Sequence, residues 1–115
     1  MKAKELTKLY ESEKAKYKAY IQNDYRNYTC KGCGCNFYDI SIHHIIKRSK
    51  LKYYYADPRN FIELCDGCHI LAEGTVYMQQ LLDCFDEMEN TKEFLLMEYA
   101  GLELYEQTLL FKYGK

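Results

Sequence analysis

The chain contains no tryptophan, a single proline and no long hydrophobic run. A helix that crosses a membrane needs about 20 consecutive apolar residues, so the sequence predicts none. Residues 1–8 hold no apolar segment either, and we therefore expect no secretory signal and a cytoplasmic location. Repeats, low-complexity tracts and flexible linkers are also lacking, and a length of 115 residues predicts one domain.

The net charge is only −1, which excludes a uniformly basic or acidic surface. This near-neutral total conceals two halves of opposite sign. Residues 1–60 carry 13 Lys or Arg against 6 Asp or Glu, whereas residues 61–115 carry 3 against 11. We therefore expect a polyanion to contact mainly the first half.

Six cysteines are many for this length, and four of them form two Cys-x-x-Cys pairs. In an intracellular chain this spacing favours metal binding over a disulfide framework. Zinc prefers four thiolate or imidazole ligands, so we assign a structural zinc ion to Cys30, Cys33, Cys65 and Cys68. The alternatives are a redox dithiol, buried thiols without metal, or Cys35 in place of Cys33. Cys84 lies on an apolar pattern and is expected in the core.

The pattern of the first half predicts helix, turn and hairpin. An amphipathic helix is expected from residue 2 to about residue 25. Branched and aromatic residues predict one strand over residues 37–46 and a second, antiparallel strand over Phe61–Leu64. A basic, tyrosine-rich connection at residues 47–59 joins the two strands.

The second half is expected to be helical. A helix should open near residues 65–68 and break at Gly74. Asn90, followed three residues later by Glu93, resembles a capping box and predicts a further helix over residues 91–113, with a kink at Gly101. The single domain is thus divided into an N-terminal helix at 1–28, a zinc-stapled core at 29–75 and a C-terminal helical extension at 76–115.

Histidines and one asparagine lie among the cysteine pairs. His43 and His44 are adjacent on a predicted strand, so their side chains point to opposite faces. A metal held by His43 and His69 would keep positions open for a phosphate oxygen and water. His44 would then accept a proton from that water, because an imidazole has a pKa near neutrality. Asn60 begins the second strand, and its amide would hold His44 in register.

Each of these residues also has a structural interpretation. A lone histidine on a strand is usually structural, His69 can replace a cysteine as zinc ligand, and Asn60 can close a turn. The combination, in this order and spacing, favours a catalytic site.

The segment from residue 30 to about residue 72 closely resembles the HNH endonuclease family. The motifs are Cys-x-x-Cys, His-His-Ile-Ile at 43–46, Asn-Phe-Ile-Glu-Leu-Cys at 60–65 and Cys-x-x-Cys-His at 65–69. The resemblance implies an α+β fold with a ββα-metal, treble-clef-like core, a zinc knuckle and flanking helices. It also implies that His44 is the general base, Asn60 the supporting asparagine, and His43 and His69 the holders of a catalytic divalent metal.

Two departures from the family pattern bear on that metal. Many family members have Asp where this chain has His43, and the usual Pro and Gly after the His-Ile segment are replaced by Lys-Arg-Ser-Lys at 47–50. Two imidazoles without a carboxylate shift the preference away from Mg²⁺ towards borderline metals such as Mn²⁺, Ni²⁺, Co²⁺ or Zn²⁺. The expected cofactors are structural Zn²⁺ and a catalytic divalent metal, with Mg²⁺ kept as an option beside those four.

The basic connection surrounds three tyrosines at positions 53–55. Lysine and arginine neutralise phosphates, which predicts contacts with double-stranded DNA. The residues expected to make them are Lys47, Arg48, Lys50, Lys52 and Arg59. A solvated loop is the alternative. None of these features reads bases, so no sequence specificity is predicted.

Apolar stripes run through the acidic half. Packing against the first helix is one interpretation, and a homodimer or protein partner bound through the acidic C-terminal helices is the other. The residues are Leu81, Leu82, Phe85, Met88, Phe94, Leu95, Leu102, Leu109, Leu110 and Phe111.

The function predicted from these observations is a metal-dependent DNA endonuclease. A non-catalytic zinc-finger module that binds nucleic acid or protein is the principal alternative, and a thiol redox protein is a weaker one. Small stand-alone members of the HNH family are frequent in phage and mobile elements, and the resemblance suggests such an origin here.

Overall fold

The computed structural model describes the backbone of residues 2–113 and the side chains of residues 2–106. The chain is a mixed α+β structure with two small antiparallel sheets. In chain order the elements are α1 (Ala3–Ile21), β1 (Tyr28–Thr29), β2 (Asn36–Phe37), β3 (Ser41–His44), β4 (Phe61–Leu64), α2 (Asp66–Ala72), α3 (Val76–Gln79) and α4 (Phe85–Tyr113), with short 3₁₀ turns at Lys52–Tyr54 and Pro58–Asn60.

The central hairpin pairs β3 with β4 in antiparallel register, with His43 opposite Ile62 and His44 opposite Phe61. This confirms the second predicted strand. The single strand expected over residues 37–46 is wrong, because β2 pairs instead with β1 and a bend follows it. At that bend Asp39 accepts hydrogen bonds from the Ile40 amide and the Lys18 amine, which turns the chain before β3.

Helix α1 is shorter than predicted and ends at Ile21. It buries no residue completely, yet its inner face lies against the hairpin. Tyr17 packs edge-on against the Phe61 ring and donates a hydrogen bond of 2.8 Å to the carboxylate of buried Glu63. These contacts place the basic helix directly over β4.

Helix α2 begins two residues after β4, and its N-terminus is capped by the sulfur of Cys65, which accepts a hydrogen bond from the Cys68 amide. The predicted break around Gly74 is confirmed, since α2 ends at Ala72 and α3 begins at Val76.

The capping box at Asn90 is wrong, because α4 begins five residues earlier, at Phe85. Asp86 and Glu87 lie in its first turn, where carboxylates favour the positive end of the helix dipole. Gly101 lies within the continuous helix.

Two clusters of buried side chains form the core. The larger contains hairpin residues together with Leu82, Cys84 and Met88, and it confirms Cys84 as a core residue. The smaller joins Ile46, Tyr54 and Leu95.

The apolar stripes of the acidic half divide between core and surface. Leu81, Phe94 and Leu102 are exposed, whereas the side chains of Leu109, Leu110 and Phe111 lie outside the described residues. Within residues 2–113, no helix combines the length and apolar character that crossing a membrane requires.

Candidate metal centres and cavity

The four cysteines assigned to zinc come together. Their sulfur atoms all lie within 4.8 Å of one another, and the group can hold a metal ion such as zinc. Four ligands at a Zn–S distance of about 2.3 Å are separated by about 3.8 Å, so only a small contraction is needed. The turn carrying the first pair lies against the start of α2, which carries the second. Cys35, the alternative ligand, is exposed, and the group does not include it.

Backbone amides point at these sulfurs. The amides of Gly32 and Cys65 each donate to the Cys30 sulfur at 3.3 Å, and the Cys68 amide donates to the Cys65 sulfur at 3.5 Å. Burial would raise the pKa of Cys30, but the amide hydrogen bonds outweigh it and lower the pKa to about 7. Burial and the neighbouring sulfurs raise the pKa of Cys68. Amides that stabilise a thiolate suit a metal-binding group.

Gly32 is required by the close packing at this turn. A Cβ atom there would lie 2.8 Å from Leu82 Cδ2 and 2.9 Å from the Cys68 sulfur. Gly34, which follows Cys33, has a backbone φ of +76°, a conformation that residues other than glycine rarely adopt.

A second group of donors joins β3 to α2. His43, His69 and Glu73 each offer a ligand atom, and these atoms lie within 4.8 Å of one another. The His43 and His69 rings meet edge-on with centroids 5.0 Å apart. A Glu73 carboxylate oxygen lies 3.1 Å from His69 Nε2 and 4.0 Å from His43 Nδ1.

His43 carries the strongest sign that this group is built for a ligand. Its Nδ1 atom is buried and has no hydrogen-bond partner among the described residues. A buried polar atom without a partner is costly, and a bound cation would relieve that cost. Burial, assisted by nearby His69, lowers the pKa of His43 to about 4, so its ring is neutral at neutral pH. A neutral imidazole is the form that binds metals.

Glu73 is the donor that the sequence-based assignment lacked. It follows His69 by four residues and caps the C-terminal end of α2, so the two side chains lie on one helix face. This i, i+4 spacing was the signal that could have found it. With Glu73 the donor set contains a carboxylate, the type of ligand that the harder cations Mg²⁺ and Mn²⁺ prefer. The side chain is 57% exposed, so the group faces solvent on that side.

His44 lies on the opposite face of β3, as strand alternation requires. Its ring stacks on Tyr55 at 4.8 Å and 10°, and the ring of Tyr10 from α1 covers it at 4.9 Å. His44 Nε2 lies 2.9 Å from the Tyr55 carbonyl oxygen. Because a carbonyl only accepts, the neutral ring must carry its proton on Nε2, which leaves the Nδ1 lone pair free. Burial lowers the pKa of His44, against the opposing effect of that hydrogen bond.

Asn60 is fully buried, and its side chain holds the backbone at the start of the basic connection and within it. Its side chain accepts from the Ile46 amide at 2.7 Å and donates to the carbonyls of Ile46 and Tyr54 at 3.0 and 3.2 Å. Its side chain therefore forms these hydrogen bonds with Ile46 and Tyr54 and not with His44. It fixes the backbone two residues after His44 and one residue before Tyr55, whose carbonyl orients the ring.

The five basic residues predicted to bind DNA have different surroundings. Lys47 and Lys50 line the same cavity of about 370 Å³ as His43 and His44. Arg48 lies over the Tyr55 ring at 4.7 Å, and Lys52 lines a separate groove against α1. Arg59 is bound to two carboxylates, Asp57 at 2.7 Å and Glu98 at 2.8 Å, which ties it to α4.

Comparisons with protein-family models, with characterised proteins and with solved structures returned no match. The function is therefore inferred from the geometry of this chain.

Proposed function

We propose that the chain is a metal-dependent DNA endonuclease of the HNH type, with a ββα-metal core formed by β3, β4 and α2. The observation that carries the proposal is that His43, one member of the donor group, lines the same cavity as the adjacent His44, together with Lys47 and Lys50. A histidine with a free lone pair, a metal-binding set and cations for phosphate are the components of phosphodiester hydrolysis.

Each side chain has a distinct task in this proposal. His43, His69 and Glu73 would hold a divalent cation, which when bound supplies Lewis acidity at the scissile phosphate. Lys47 and Lys50 would bind phosphate oxygens. His44 would accept a proton from the attacking water at Nδ1, while Nε2 stays hydrogen-bonded to Tyr55.

The four cysteines have a structural task in this proposal. A zinc ion bound by them would fix the start of α2 and so the positions of His69 and Glu73. Structural zinc supplies about 10–16 kcal/mol of apparent binding energy at neutral pH, enough to decide whether a small domain folds.

The test is plasmid nicking with a panel of divalent metals, combined with native mass spectrometry to count bound ions. We expect two metal ions per chain and cleavage that His44→Ala slows about 10²–10⁴-fold. Glu73→Gln should weaken binding of one ion and leave the other, whereas Glu5→Gln, an exposed glutamate on α1, should change neither.

A folded His44→Ala variant that cuts as fast as the wild type would refute the role of His44. One ion per chain and no cleavage with any metal would instead favour the non-catalytic zinc module.

A further inference from the structure

The cavity beside His44 has a wall that the HNH-like segment does not provide. One side is formed by the hairpin and the basic connection, and the other by α4. Met88, Glu89, Lys92, Leu96 and Tyr99 line it from the helix. The second half of the chain, acidic overall, therefore takes part in shaping the candidate site.

Lys92 is a basic residue within an acidic segment of the chain. Residues 61–106 contain eleven Asp or Glu and only this one basic residue. It is half-buried and lines the cavity from α4, whereas Lys47 and Lys50 line the same cavity from the basic connection. An isolated cation in an acidic segment, directed to a cavity with two further lysines, indicates a site for negative charge.

Lys92 also forms no ion pair among the described side chains, although Glu89 precedes it by three residues. The same spacing on α1 does produce pairs, between Lys14 and Glu11 at 3.4 Å and between Lys16 and Glu13 at 3.5 Å. Lys47 and Lys50 likewise have no acidic partner within residues 2–106. Three amines around one cavity are thus available for a ligand.

We propose that Lys92 binds a backbone phosphate of the DNA strand, with Lys47 and Lys50 contacting the same strand across the cavity. The inference rests on the proposed nuclease function and extends it, because α4 becomes the second wall of the strand's path. The acidic residues elsewhere on α4 would disfavour other routes for the strand, since like charges repel.

The test measures binding rather than cleavage. The zinc-loaded chain, without added divalent metal, is titrated against a fluorescent DNA duplex at several salt concentrations. The logarithm of the binding constant falls as the logarithm of the salt concentration rises. Each lost phosphate contact makes this negative slope shallower by about 0.9, which is a drop in its magnitude. Lys92→Ala should show this drop and weaken binding about fivefold to tenfold near 0.1 M salt. Lys92→Arg should keep the wild-type slope.

Lys31→Ala is the matched control, because Lys31 is exposed and does not line this cavity. A Lys92→Ala slope equal to that of the wild type would overturn the proposal, as would an equal drop for Lys31→Ala. The two proposals fail separately. Cleavage with an unchanged Lys92→Ala slope refutes the phosphate contact alone, whereas a lowered slope without cleavage under any metal refutes the nuclease alone.

Discussion

Replacing Asn60 with alanine should destabilise the chain more than any surface substitution. The side chain is 0% exposed and makes three hydrogen bonds, all to backbone groups of Ile46 and Tyr54. Alanine would leave a buried amide and two carbonyls without these partners. A buried group left unpaired costs about 1–3 kcal/mol, and carbonyls regain part of that by relaxation. We therefore expect a loss of about 3–5 kcal/mol.

The measurement is urea unfolding of the zinc-loaded chain. A domain of this size has about 5–15 kcal/mol of stability, so Asn60→Ala should still fold under native conditions. With a denaturant slope of about 2 kcal/mol per M, its midpoint should fall by about 2 M. A loss below about 1 kcal/mol would refute the view that Asn60 holds the basic connection in place.

Asn90→Ala is the control for the same residue type. Asn90 is exposed and lies inside α4, where alanine is the better helix former by a few tenths of a kcal/mol. Its stability should stay equal or rise slightly. If Asn90 capped a helix, the same change would cost about 1 kcal/mol.

Two further predictions concern the turn at the cysteines and the link to α4. Gly32→Ala should lower the free energy of unfolding, measured in urea, by about 1–3 kcal/mol, because the added Cβ would clash with Leu82. Gly67→Ala is the control and should be neutral or stabilising, because a Cβ there has no neighbour within 4 Å. Equal effects of the two changes would contradict this packing. The hydrogen bonds from Arg59 lower the pKa of Glu98 below its ordinary 4.5, so the pair stabilises the fold above about pH 4.5 and this contribution is lost as the pH falls through the lowered value. Urea unfolding between pH 7 and 3 should show the stability gap between wild type and Glu98→Gln closing at acid pH, and a constant gap would contradict it.

The cysteine group was predictable because ligand spacing is a local property of the sequence. Two residues between thiols let both reach one ion, whatever the rest of the chain does. The second strand was likewise predictable, since Phe61–Leu64 is a short apolar run bounded by a turn and a cysteine. The spacing within each cysteine pair and the apolar run of β4 are both set by residues that are close in sequence, whereas the meeting of the two pairs depends on the fold.

What the sequence left out depends on packing between distant segments. Tyr10 lies 34 positions before His44 in sequence, yet its ring covers the imidazole, and the periodicity of α1 gives no indication of which tyrosine does so. The place of Lys92 in the cavity follows from the path of α4, which begins at Phe85 and not after Asn90. Asp86 and Glu87 are a better signal for that start than Asn90, because they lie in the first turn of α4, where carboxylates favour the positive end of the helix dipole.

Helix α2 connects the two donor groups, so a metal ion bound by the cysteines would have an effect beyond folding. The His69 amide donates to the Cys65 carbonyl at 2.8 Å, and the Glu73 amide donates to the His69 carbonyl at 3.1 Å, so cysteine, histidine and glutamate occupy successive turns. A displacement of the helix start would carry both later donors with it relative to His43 on β3. Because functional side chains must be held to within about 0.5 Å, a zinc ion at Cys65 and Cys68 would fix the geometry of the second group as well as the fold.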